Sequence, residues 1–221
     1  MGMGTQLRAC ALGLSCVAAI MGMPSTAGAT TLDFESVGQA GDEAVIPNEY
    51  GGFDWSNFLV IDGEDEYPEY PGNGYVNGTV SGDFVAFNRR SQPIASITRD
   101  STFNFIGAAF TAAWNEDLLV DVKGYLDGAL LYSTTLTLST QLYADLLFNW
   151  SGIDELTFFS YGGFDQLGYG GGRQFVIDDL QYTNVVATPI PAALPLFATA
   201  MLGLGVMARR RSRKQAQTPV I

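Results

Sequence analysis

The acidic residues of this 221-residue chain are confined to its middle. All 23 Asp and Glu fall between Asp33 and Asp179. Only Arg89, Arg90, Arg99, Lys123 and Arg173 offset them there, which leaves that stretch at −18. The two ends carry no acid, and five of the six remaining basic residues lie between Arg209 and Lys214. A chain divided this way reads as one acidic domain, residues 30–187, between two apolar ends. The domain is about one folding unit long and large enough to bury a core without covalent help. High Gly (26 residues), 12% aromatics, many Thr and almost no Lys favour strands over helices. The charge repels phosphate backbones and so excludes nucleic acid as a partner; it suits cations, neutral sugars or plain solubility. The chain has no His, which removes Ser-His-Asp and Cys-His catalysis in their usual forms and His-ligated zinc or copper. Its two cysteines, Cys10 and Cys16, both lie in the N-terminal apolar run, so the domain has no disulfide framework.

The N-terminus has three parts: Met1 to Arg8 with one positive side chain, the apolar run Ala9 to Met23, and a small-residue site with Ala27 and Ala29 at alternate positions. This is the layout of a secretory signal peptide over residues 1–29, with signal peptidase expected to cut after Ala29. A retained membrane helix is the alternative, but the apolar run is short for a bilayer. A lipoprotein site at Cys16 is a further one, and Gly13-Leu14-Ser15 matches a lipobox poorly.

At the other end, Ile190 to Ala208 is uninterrupted by charge and as a helix covers nearly 30 Å, about one bilayer core. Pro191 and Pro195 stand in its first turns, where the amides lack intrahelical partners anyway. The basic cluster that follows stays on the cytoplasmic side of a span, which puts the acidic domain outside. Thr188-Pro189-Ile190-Pro191-Ala-Ala-Leu-Pro-Leu-Phe, an apolar span and a terminal Arg cluster together resemble the PEP-CTERM sorting signal, in the variant written Val-Pro-Leu-Pro-Ala-Ala-Leu-Pro-Leu-Phe. Ile190 stands where the common motif has Glu. The resemblance covers residues 188–221. It implies recognition by an exosortase-type protease at Pro189, Ile190 and Pro191, contact of the C-terminal helix with membrane lipid, and a destination at the cell surface.

Within the domain, short β-like runs recur at Thr31 to Glu35, Phe58 to Ile61, Phe84 to Phe87, Thr102 to Phe105, Leu156 to Ser160 and Phe175 to Tyr182. Residues 118–138 read as a hairpin turning at Asp127-Gly128, with Val120, Val122, Leu130, Tyr132, Leu136 and Leu138 inward. About nine strands with Gly-rich links predict an all-β domain, a single jelly-roll-like β-sandwich flanked by the signal peptide and a C-terminal transmembrane helix. The domain is similar in general character to small jelly-roll modules of carbohydrate-binding type.

Two clusters stand out. Asp33 and Glu35, in the first strand, and Asp178 and Asp179, in the last, offer hard oxygens for a structural Ca²⁺, and the jelly-roll resemblance implies such an ion there. Solvent-facing carboxylates, one bonded to a neighbouring loop, are the simpler alternative. The second cluster, residues 47–78, holds Trp55, Tyr67 and Tyr70 among acids, as an exposed surface for stacking on sugar rings would. The alternative is a set of aromatics anchoring a long loop to the core. The expected function is that of a non-enzymatic, envelope-sorted surface or extracellular-matrix protein contacting polysaccharide. The rival is a secreted carbohydrate-active enzyme with paired carboxylates.

Overall fold

The computed structural model describes residues 28–39, 41–64, 69–89 and 94–185, together with four helical, exposed positions: Phe197, Met201, Leu202 and Arg209. Two compact units divide the chain: Thr26–Val186, and a second made of Met1–Ser25 with Ala187–Ile221. The expected signal peptide, except Gly28 and Ala29, and the sorting residues Pro189, Ile190 and Pro191 lie outside the described residues, as does Tyr67. Among the described residues no helix is long and apolar enough to cross a membrane.

The Thr26–Val186 unit is built almost wholly of antiparallel strands. In chain order these are β1 (Thr30–Leu32), β2 (Ala44–Val45), β3 (Asp54–Ser56), β4 (Phe58–Asp62), β5 (Phe84–Asn88), β6 (Ile94–Ala112), β7 (Asn115–Leu126), β8 (Ala129–Leu138), β9 (Ala144–Asp165) and β10 (Phe175–Asn184). One short helix, α1 (Gly74–Gly78), precedes β5. The sequence suggests two separate sheets, but all ten strands are hydrogen-bonded into one. Its path runs β2-β4-β5-β10-β6-β9-β7-β8, with β1 on β10 and β3 on β6. The first and last strands do meet: Thr30 pairs with Tyr182 and Leu32 with Leu180.

The sheet curls. Phe58 on β4 and Phe158 on β9 are four strand positions apart, about 19 Å in a flat sheet. Their ring centroids lie 5.7 Å apart, edge to face. The curl comes from two long strands that change neighbours partway. Residues 94–98 of β6 lie between β3 and β9, whereas residues 103–112 lie between β10 and β9. Register shifts between Thr98 and Gly107 absorb the bend. On β9 the matching bend holds Asn149 and Gly152 at positive φ, and Gly152 N–H donates to Asn104 Oδ1 at 3.0 Å.

One core fills the inside of the curl, with Phe34, Trp55, Phe58, Phe105, Phe110, Phe158 and Phe175 among its members. A second, smaller cluster covers the outer face of β4, β5 and β10: Leu59, Ile61, Val85, Phe87 and Val176, capped by Tyr75 of α1. These three strands therefore bury both faces, which explains their continuous apolar runs. β7, covered on one face only, shows the period of two instead. The expected hairpin forms at Asp127 (φ 50°) and Gly128 (φ 76°), both in the left-handed region a two-residue turn needs. Val120, Val122 and Leu138 are buried as expected, and Tyr132 and Leu136 pack against the core. Leu130 is instead 53% exposed. Gly124 pairs with Tyr132 and Tyr125 with Leu130, so a bulge at Leu131 turns Leu130 outward.

Trp55, expected as an exposed stacking face, is a core residue at 8% exposure. Its indole N–H donates to the Tyr50 carbonyl at 2.9 Å, and its ring meets Phe34, Phe53 and Phe58 edge-on. β3 pairs Trp55 with Ile97, and this register directs the ring inward. Trp55→Ala is therefore expected to destabilise the domain by about 3–5 kcal/mol. Urea unfolding checks this; a loss below about 1 kcal/mol would contradict the core assignment.

Candidate ligand site

The expected Ca²⁺ residues come together, but around a segment of chain. Asp178 Oδ2 accepts from the amides of Val80 (2.8 Å) and Ser81 (2.9 Å), and its Oδ1 accepts from Asp179 N–H (2.7 Å). Asp179 Oδ1 accepts from the Ser81 hydroxyl at 2.8 Å. Glu35 Oε1 accepts from the amides of Asp83 (3.0 Å) and Phe84 (2.9 Å). Three carboxylates thus fasten residues 80–84 as it enters β5. Asp178 is fully buried with both oxygens engaged by N–H donors, and among the described residues no group of three or more acidic side chains is placed to hold a metal. Burial pushes the Asp178 carboxyl up to about 6, against the opposing pull of the Ser81, Val80 and Asp179 amides.

The aromatics of residues 47–78 divide between the two faces of the sheet. Tyr50, Phe53, Trp55 and Phe58 belong to the inner core, whereas Tyr70 and Tyr75 belong to the outer cluster. There Tyr70 joins Trp114 and Tyr169, two residues that no sequence motif marks. Tyr70 meets Tyr169 at 4.8 Å and Trp114 at 5.7 Å between centroids, both edge-on, and Tyr75 meets Trp114 at 5.6 Å. Together they wall an open pocket of about 490 Å³, a volume in the small-ligand range. Leu59, Phe87 and Tyr75 line it as well, and Glu43, Arg89 and Gln174 supply its polar groups.

Each wall has a local cause. Asn73 caps α1, its Oδ1 accepting from the amides of Tyr75 (2.8 Å) and Val76 (3.2 Å), and its side-chain N–H₂ donates to the Tyr70 carbonyl (2.8 Å). Gly74 must be Gly, because a Cβ there would strike the Ala112 carbonyl of β6. Tyr169 sits on the Gly-rich loop, which Asp165 organises by accepting from Gly168, Tyr169 and Gly170 N–H. The Gly170 bond, with the other loop amides, holds the Asp165 carboxyl below its ordinary range. Gly172 packs so closely on Trp114 and the Gln174 side chain that a Cβ would collide with both.

Gln174 is 4% exposed, and its Oε1 is buried without a hydrogen-bond partner, the one such side-chain atom among the described residues. An unpaired buried carbonyl costs about 1–3 kcal/mol, and the residue that carries it lines the pocket. Arg89 is exposed beside it, and its guanidinium makes no hydrogen bond or ion pair among the described residues. Tyr70, Trp114 and Tyr169 come from positions up to about a hundred residues apart, so spacing alone does not reveal the site. The one local signal was the tyrosine abutting Gly170-Gly-Gly, in a loop whose sequence suggests only flexibility.

No protein-family model matches the chain, and no curated protein matches it in sequence. Among solved structures, the carbohydrate-binding module TmCBM61 in complex with β-1,4-galactotriose aligns over 63% of this chain and 95% of its own. Its identity is 11% and its TM-score 0.34. CBM51 of Clostridium perfringens GH95, in complex with methyl-galactose, aligns over 70% and 100%, at 11% identity and a TM-score of 0.33. Neither likeness bears on which residues of this chain bind, or what they bind.

The raised Asp178 carboxyl makes a signed prediction. The folded state holds that proton more tightly than the unfolded chain, so the group's contribution is full below about pH 4 and is lost as pH rises through about 6. Asp178→Asn keeps the shape and cannot titrate. The unfolding free energy of wild type minus that of Asp178→Asn should fall by up to about 3 kcal/mol from pH 4 to pH 7. Urea melts at several pH values measure it, and a flat difference would contradict the assignment.

Proposed function

We propose that the chain is an exported, envelope-sorted protein of the cell surface or extracellular matrix. Its β domain, jelly-roll-like in shape, holds polysaccharide in the outer pocket without catalysing a reaction. In this reading signal peptidase removes residues 1–29. The PEP-CTERM-like tail, residues 188–221, seats in membrane lipid and is processed by an exosortase-type protease at Pro189, Ile190 and Pro191. The small-residue site at Ala27 and Ala29, the apolar run from Ile190 and the basic cluster from Arg209 support that routing.

The observation that carries the binding reading is the open pocket of about 490 Å³ walled by Tyr70, Trp114 and Tyr169, with Gln174, whose Oε1 has no partner, in its lining. Sugars present weakly polar C–H faces that pack on aromatic rings and hydroxyls that donate to a carbonyl. A hydroxyl on Gln174 would recover the cost of its unpaired oxygen. Arg89 can donate to further sugar oxygens and Glu43 can accept from hydroxyls. Glycoside hydrolysis uses two carboxyl groups, and Glu43 is the one carboxylate among the described residues lining the pocket.

A glycan array with the full chain in detergent, followed by titration of the strongest hit, tests the reading. Binding should vary little between low and high salt, since neutral sugars leave no charges to screen. Tyr169→Ala should weaken it about tenfold, one aromatic contact being worth about 1–1.5 kcal/mol, without lowering Tm. An array with no hit, or a Tyr169→Ala variant that binds as wild type does, would overturn the site. Release of new reducing ends that Glu43→Gln abolishes would favour the enzyme instead.

A further inference from the structure

The sheet ends at β8, and that edge differs from the others. At the opposite end of the path β2 has two residues, and the strands off the path, β1 and β3, have three each. Such short edges give another chain little backbone to pair with. β8 runs ten residues and pairs with β7 alone among the described strands. Alternate residues of an antiparallel strand turn their N–H and C=O away from the partner, so β8 presents a row of these groups outward.

Nothing in the sequence of that edge blunts it. From Gly128 to Ala144 there is no charged residue and no proline, within a domain that carries −18. The bulge at Leu131 lies near one end and leaves residues 132–138 in regular register with β7. Seven residues of this kind, Tyr-Ser-Thr-Thr-Leu-Thr-Leu, have the composition that pairs strand to strand. The surroundings are apolar too. β8 and the start of β9 border a groove of about 310 Å³ lined by Leu136, Leu146, Leu147, Phe148 and Trp150. Leu147 there is 71% exposed, and Leu142, in the connection, 74%.

We propose that β8 pairs with β8 of a second copy of this chain, antiparallel about a two-fold axis, so that two sheets become one. The occupant we assign is a second copy, and charge decides where two copies can meet. Two copies repel each other over most of an acidic surface, and the uncharged run is where they approach at least cost. Antiparallel self-pairing also meets the symmetry of a two-fold contact with a single sequence. Ser133 and Thr137, exposed on one face of β8, would then face the second copy's strand, while Thr135 between them donates its hydroxyl to Asp121 Oδ1 at 2.6 Å. The glycan reading is not needed for this inference.

The test uses the full chain in detergent, with Cys10 and Cys16 replaced by Ser. Cysteine is placed singly at each residue from Ser133 to Thr137, so that a two-fold axis on either alternation of the strand is covered, and, as an exposed control, at Asn48. On mild oxidation one of the strand positions should cross-link to a dimer in high yield. Only the residue nearest the two-fold axis meets its own copy within disulfide reach, Cβ to Cβ about 3.5–4.5 Å. The control should not cross-link. Separately, light scattering on the otherwise native chain should give twice the mass of one chain. A double variant with Thr135→Lys and Thr137→Lys should weaken association roughly tenfold or more while retaining the β circular-dichroism signal. If that variant fails to fold, the cysteine series decides. A single-chain mass for wild type, or strand cysteines that cross-link no better than Asn48→Cys, would overturn the proposal.

Discussion

Everything in this domain depends on the antiparallel pairing of β6 with β9 along nearly their whole lengths. Both strands are long enough to serve two parts of the sheet, and both bend where their register shifts. The bend brings β4 over β9, so that Phe58, Phe158 and Phe175 meet inside one core. It also leaves the outer face of β4, β5 and β10 uncovered by any strand. The chain covers that face with α1 and two loops, and the pocket is the space those smaller pieces leave.

The loops are held by hydrogen bonds from side chains to backbone. Asp178, Asp179 and Glu35 fix the approach to β5, Asn73 fixes α1, and Asp165 fixes the Gly-rich loop. Here the abundant carboxylates act as acceptors for N–H groups that the sheet does not satisfy. Part of the acidity read from composition is therefore structural, and the outer pocket is walled largely by aromatic rings, with Glu43 the one carboxylate in its lining among the described residues.

How much was legible in the sequence follows from where the determinants lie. The β7–β8 hairpin was legible because its turn and its alternation are local, down to Asp127-Gly128. Phe58 to Ile61, Phe84 to Phe87 and Phe175 to Tyr182 were legible as strands, whereas their burial on both faces depends on the distant residues of the outer cluster. β6 and β9 were read only in fragments, because their bends interrupt the alternation at Arg99 to Thr102 and around Asn149 to Gly152. The site was only partly legible. Of the residues expected on a stacking surface, Tyr70 lines the outer pocket and Trp55 lies in the core. The two stand fifteen residues apart in one aromatic-rich stretch, and only long-range pairing, Trp55 with Ile97, sends one inward. Asp178 and Asp179 were marked as a pair with Glu35, and they do converge; composition alone does not distinguish a metal from backbone amides as what they hold.

The central claim is that the outer aromatic pocket, with its unpaired Gln174 carbonyl, is where this domain meets its ligand. Nuclear magnetic resonance titration with the glycan of strongest array signal addresses it most directly. The account predicts that the Gln174 side-chain amide and the Trp114 indole N–H resonances move in proportion to occupancy, while the indoles of Trp55 and Trp150 stay in place. Saturable binding that leaves Gln174 and Trp114 unmoved would contradict it.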